Sequence, residues 1–105
     1  MGKISRDIGY RTENNVRKQA LNHNLHAYRV PLSGGASIKG DVVVSNGTDD
    51  WRLEVKNRAN GFKQIYDWLD SPDADALVIK AKGKRTLLVC DLDDFFDLLR
   101  GKDLN

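Results

Sequence analysis

The chain has 105 residues, of which 40% are hydrophobic and 30% charged, with a formal net charge of +2. That length suits one domain around one core, here expected to span residues 1–105, and the balance excludes a disordered or low-complexity chain. No apolar run approaches the roughly 20 residues that a membrane-crossing helix needs, so a membrane partner is not expected. The start, Met1-Gly2-Lys3-Ile4-Ser5-Arg6-Asp7, lacks the apolar stretch of a secretory signal, and Arg6 breaks the myristoylation pattern. The lone cysteine, Cys90, has no internal partner and lies in the apolar run 86–90, where a small buried thiol is expected. The expected location is the cytoplasm.

Charge is unevenly spread. Residues 1–40 carry seven Lys/Arg against two acids, residues 41–60 three against four, and residues 61–105 seven against nine. The excess of cations therefore precedes the most acidic motif of the first half, as a chain that grips phosphates ahead of a catalytic site would arrange it.

In chain order, Ser5 to about Asn22 reads as a helix. Ser5 or Asp7 can cap it, Ile4, Ile8, Val16 and Ala20 form a partial apolar stripe, and the Asn-rich residues 22–24 end it. Glu13 falls near the inward side, where an acid is either costly or useful. Residues 26–31 alternate as a strand stopped by Pro31, and Leu32 to Ser37 follow as a glycine-loosened stretch. Val42-Val43-Val44 and Trp51 to Lys56 read as two strands joined through Asn46-Gly47, a strong hairpin signal. Gly61 to Asp70 is an amphipathic helix with Phe62, Ile65, Tyr66 and Leu69 on its inner face. The apolar runs 76–79 and 86–90 are expected as strands covered on both faces, joined by the basic turn Lys80 to Arg85. The last helix starts near Asp91, presents Leu92, Phe95, Phe96 and Leu99 inward, and stops at Gly101. The expected fold is α/β, with the order α-β-β-β-α-β-β-α and a mixed β-sheet flanked by helices. No repeat or linker interrupts it.

Three acids and a lysine then form a pattern. Asp41 opens the first hairpin strand, and Glu54 and Lys56 share one face of the next, since side chains alternate along a strand. Two carboxylates suit a hard divalent cation, which prefers a few carboxylate oxygens plus water, and a neighbouring ammonium suits a phosphate. Asp41, Glu54 and the backbone carbonyl of Val55 are the candidate metal ligands, and Glu13 would add a ligand or hold a metal-bound water. Lys56 would position the attacking water. Each piece also has an ordinary reading: Glu54 and Lys56 as a solvated strand face, Asp41 as a turn residue, Glu13 as a surface acid of a helix. His23 and His26 lack a third ligand, so a zinc site is not expected. Trp51 and Trp68 read as packing residues rather than stacking platforms.

With these residues in this order, the chain resembles the PD-(D/E)XK nuclease superfamily, and more narrowly the archaeal-type Holliday-junction resolvases, including phage-borne versions. The carriers are Glu13 in the first helix, Arg29 followed by Ser33-Gly34, Asp41, and the triplet Glu54-Val55-Lys56, and they draw in residues 5 to 95. Gly40 stands where the superfamily's name has proline. The resemblance implies a restriction-endonuclease-like fold and a Mg²⁺-dependent enzyme, with Mn²⁺ able to substitute. Its substrate would be branched DNA, a four-way junction cut by paired symmetric nicks, and its working form a homodimer. It implies catalytic roles for Glu13, Ser33, Asp41, Glu54 and Lys56, with Ser33 near the scissile phosphate. Arg29, Lys39, Arg58 and Lys63 flank the site as candidate phosphate contacts. Two other readings compete: a different nuclease of the same superfamily, restriction-like or acting in repair, and a DNA-binding module without catalysis.

Overall fold

The computed structural model describes residues 2–30 and 41–101, with side chains from residue 9 onward. The elements run α1 (Gly2–Asn22), β1 (His26–Arg29), β2 (Asp41–Ser45), β3 (Asp50–Glu54), α2 (Lys63–Leu69), β4 (Ala76–Ile79), β5 (Leu87–Cys90) and α3 (Leu92–Arg100). This is the expected α/β order. The strands pair as two separate antiparallel ladders, β1-β2-β3 and β4-β5, with no parallel pair among the described residues. Ser33 and Lys39 lie outside the described residues.

The first helix begins at Gly2, so Ser5 and Asp7 fall inside it rather than at its cap. Its other end is built by Asn24, which takes a left-handed backbone with φ 61°. The Leu25 amide then reaches back to the Ala20 carbonyl at 3.1 Å, and the Asn24 amide to that of Leu21 at 3.0 Å. This paired closure satisfies carbonyls that a helix end otherwise leaves open, and it brings Leu25 onto Ala20, both of them buried. The chain leaves the turn directly into β1.

Strand β2 is central in the larger sheet. Val42 and Val44 point to one face and are fully buried there with Ala20, Leu25 and Phe96; Val16, Ala27, Leu53, Val55, Leu92, Phe95 and Leu99 pack around them. Burying a side chain such as Phe96 is worth about 1.5–3 kcal/mol, so this small cluster carries much of the fold. The α3 stripe is the expected one, and its helix docks on the first half of the chain although it comes last in sequence. Phe95 meets Trp51 edge-on at 5.3 Å between ring centroids.

The β2–β3 connection is a four-residue loop, 46–49, since Ser45 pairs with Asp50. Asn46 organises it: its Oδ1 accepts from the amides of Thr48 (2.9 Å) and Asp49 (2.7 Å), while its Nδ2 donates to the Leu99 carbonyl at 2.7 Å. The sequence signal thus marked the turn correctly, but the side chain of Asn46, rather than a two-residue turn, shapes it.

The second ladder departs from expectation. Strands β4 and β5 are not covered on both faces: Val78 and Leu88, directly opposite each other, are 64% and 65% exposed. Among the described residues helix α2 lies against this pair through β4, and the face that carries Val78 and Leu88 is left largely open. Helix α2 is shorter than expected, and Tyr66 faces solvent instead of the interior. Cys90 is half-buried and free.

Candidate active site

Antiparallel register sets Asp41 directly opposite Glu54. Residues in that relation have Cβ atoms about 4.5–5.5 Å apart, close enough for both carboxylates to reach one cation. Asp41 is buried and Glu54 exposed. Strand β3 ends at Glu54, two residues earlier than the sequence suggested, yet Lys56 keeps its place beside it, with Nζ 3.8 Å from Glu54 Oε1. Both side chains of that pair are about 60% exposed, so the contact is worth little to stability and leaves the ammonium open to a substrate.

The buried carboxylate of Asp41 accepts a hydrogen bond from Arg52 Nε at 2.7 Å. Arg52 was not among the expected site residues. Its signal was available: it lies two residues before Glu54 on the same strand, hence on the same face and diagonal to Asp41. Glu13 is buried too, as its place on α1 suggested, and its Oε1 accepts from Arg29 Nε at 2.8 Å. The Arg29 guanidinium also lies 4.1 Å above the Tyr10 ring. Arg29 is therefore committed to Glu13 and Tyr10, and stands away from the cation-lined cleft described below.

Strand alternation puts Arg29 with Val42 on the face toward α1, and Asp41 with Arg52 and Glu54 on the other. Glu13, tied to Arg29, is thus not drawn into one set with Asp41 and Glu54. Among the described residues no three His, Cys, Asp or Glu side chains gather closely enough to hold a metal ion. The pair that does form still fits Mg²⁺: two hard carboxylates, with the Val55 carbonyl next in the chain, match an ion that commonly takes one or two carboxylates and fills its shell with water and phosphate oxygens. Arg52 supplies the positive charge beside Asp41 in this structure, and a cation at that carboxylate would compete with it.

Lys56 opens onto a cleft of about 520 Å³, whose lining also includes Arg58, Lys63, Asn57 and Tyr66. Three of the expected site residues thus line one concave surface, with three cations and no acid. The segment that carries them is pinned to α1 by Asn57 Nδ2, which donates to Thr12 Oγ1 at 2.8 Å. Lys63 also pairs with Asp67 at 2.7 Å, a contact within one helix turn on the surface. Tyr66, expected in the core, presents its ring to this cleft instead.

Fold and geometry together define an α/β domain with an opposed carboxylate pair beside a cationic cleft. No family model, curated protein or solved structure matches the chain. Among the described residues no helix is long and apolar enough to cross a membrane.

Proposed function

We propose that the chain is a Mg²⁺-dependent DNA endonuclease of the PD-(D/E)XK kind, acting in the cytoplasm on four-way junctions as a homodimer. The observation that carries this reading is the placement of Asp41 opposite Glu54, with Lys56 3.8 Å from Glu54 at the mouth of a cleft lined by Arg58 and Lys63. Mg²⁺ would supply a nucleophile at neutral pH and offset charge on the phosphate. Asp41, Glu54 and the Val55 carbonyl would hold it. Lys56 orients the water for attack at phosphorus as the bond to the leaving sugar oxygen breaks. Arg58 and Lys63 bind flanking phosphates and fix the strand in register. Glu13 supports the site through α1, where Arg29 holds its carboxylate instead of contacting phosphate, and Ser33 and Lys39 keep the roles that the resemblance assigns.

A junction has two symmetric strands to cut and one chain holds one site, which is the argument for two copies. The bare Val78–Leu88 face is the surface we assign to that contact, because a two-stranded ladder with one uncovered apolar face is marginal by itself.

One observation favours a second reading. Both buried carboxylates are already neutralised by arginines, Glu13 by Arg29 and Asp41 by Arg52, as in a DNA-binding module that needs no metal. The deciding experiment incubates the protein with a labelled four-way junction and a sequence-matched linear duplex, each with Mg²⁺ or with EDTA. Paired, metal-dependent nicks confined to the junction are expected. Cutting of both substrates would move the function to a general nuclease, and binding without cutting, with Mn²⁺ also tried, would leave the module.

A further inference from the structure

A second concavity, of about 370 Å³, lies between α2 and the turn end of the β4–β5 hairpin. Its floor is apolar. Ile79 and Leu87 stand directly opposite each other in the ladder, and Trp68 closes one side from α2. Its rim is cationic: Lys80, Lys84 and Arg85 line it with no acid among the lining residues. The turn that presents them is closed by the Lys84 amide on the Ala81 carbonyl at 3.0 Å, with Gly83 at φ 75° in the third position. That backbone is one glycine supplies without strain.

Two features separate this from ordinary packing. Trp68 is 53% exposed, contrary to the expectation that it packs inward. Among the described residues Lys84 and Arg85 make no ion pair, and there the only hydrogen bond of Lys80 Nζ goes to the neighbouring Ala81 carbonyl at 3.3 Å. An open indole beside three unpaired cations matches one chemistry well. A nucleobase stacks on the ring, and the phosphates on either side meet the cations. An acidic peptide would satisfy the cations but leave the indole face unused.

We propose that this concavity binds an unpaired nucleotide of single-stranded DNA, with Trp68 as the stacking platform and Lys80, Lys84 and Arg85 as phosphate contacts. It shares no residue with the Asp41–Glu54 site, so it stands whether or not the chain cuts DNA. In a junction-cutting enzyme it would hold a strand unpaired near the branch.

The test measures binding alone, by fluorescence anisotropy of labelled oligothymidine with the full chain in EDTA. Two further arms use a base-free sugar-phosphate chain of the same length and a poly-glutamate peptide. Trp68→Ala is expected to weaken oligothymidine binding by about tenfold, the usual scale for losing one stacked base, while Trp68→Phe retains most of it. The base-free chain should bind the native protein about as weakly as oligothymidine binds Trp68→Ala. A Lys84→Ala/Arg85→Ala double variant should lower the slope of log affinity against log salt by about 1.4, from roughly 0.7 per single-strand phosphate contact. Circular dichroism checks that each variant folds, and should Trp68→Ala not fold, the phenylalanine and double variants and the base-free chain decide. Equal oligothymidine binding by native and Trp68→Ala protein would overturn the proposal. So would native binding of the base-free chain or the peptide as tight as that of oligothymidine.

Discussion

Glu13 and Arg29 meet where α1 crosses the end of β1, and the pair is worth considering as a structural element in its own right. The carboxylate is 5% exposed and the guanidinium 31%. Removing one partner of such a pair leaves a charge in a place from which water is largely excluded, and that is more damaging than losing the attraction itself. Arg29→Ala is therefore expected to lower unfolding free energy by roughly 3 kcal/mol, read as a shift of the urea midpoint at unchanged slope. An unshifted midpoint would mean that Glu13 finds water or another donor. Asp41 and Glu54 are expected to behave differently from Glu13. Asp41→Asn or Glu54→Gln should abolish cleavage while leaving junction binding within about fivefold, because both are assigned to the metal and not to the grip on DNA. Native cutting rates in either variant would remove the site assignment.

Two contacts fix how the elements meet. The Asn24 closure of α1 uses a left-handed backbone that costs an ordinary side chain about 1–2 kcal/mol. Asn24→Ala should destabilise by about 1 kcal/mol and Asn24→Gly should be neutral or stabilising, and thermal unfolding of the two variants gives the comparison. Beyond that turn, His23 ties α1 to α3. Its Nε2 lies 2.9 Å from Asp93 Oδ1 and its Nδ1 2.9 Å from Asp97 Oδ1. Carboxylates only accept, so both ring nitrogens must donate, and the ring is held as the imidazolium. The hydrogen bond that His23 donates to Asp93 is the largest influence raising the His23 pKa; burial, next in size, opposes it, and Asp97 raises it further. Asp93 is in turn lowered, first by the Gln19 amide and then by His23. A raised histidine stabilises the fold below its unfolded pKa and loses that contribution as pH rises through the folded value. A lowered aspartate stabilises above its unfolded pKa and loses that contribution as pH falls through the folded value. The lock is thus fully closed between the two ordinary values, 3.8 for Asp93 and 6.5 for His23. The thermal midpoint of the native chain should decline as pH rises above 6.5, and His23→Ala should flatten that decline. An identical slope in the variant would dismiss the lock.

The molecule as a whole is looser than its length requires. Its radius of gyration is 15.5 Å, with extents of 43 × 35 × 26 Å, against about 13 Å for a compact domain of this size. The three-stranded sheet, α1 and α3 surround the buried cluster, whereas α2, β4 and β5 project from it and leave Val78 and Leu88 bare. If a second copy covers that face, stability depends on protein concentration. The thermal midpoint of the native chain should then rise with dilution series run upward in concentration. Leu88→Glu should sediment as a monomer and lose that dependence. A native chain that is monomeric at all concentrations would rule out the dimer, and a Leu88→Glu variant that still dimerises would move the contact elsewhere.

What the amino-acid sequence determined by itself was local. Apolar spacing marks all three helices, with α3 inward at Leu92, Phe95, Phe96 and Leu99, because one helical face repeats every three to four residues whatever lies opposite. Strand alternation and a turn signal were enough to bring Asp41 and Glu54 onto facing strands of one hairpin; the four-residue loop set them directly opposite, where a two-residue Asn46-Gly47 turn would have put Arg52 across from Asp41. The short step from Glu54 to Lys56 kept that pair together. Tertiary structure decided what depends on distant partners. Arg29 neutralises Glu13 through a contact between α1 and β1 that no local spacing announces, and Arg52, although strand alternation puts it on the face of Glu54, meets Asp41 only through the register of the facing strand. Tyr66 and Trp68 turned outward and the β4–β5 run stayed uncovered, because an apolar pattern states which residues can be buried and leaves open whether anything is present to bury them.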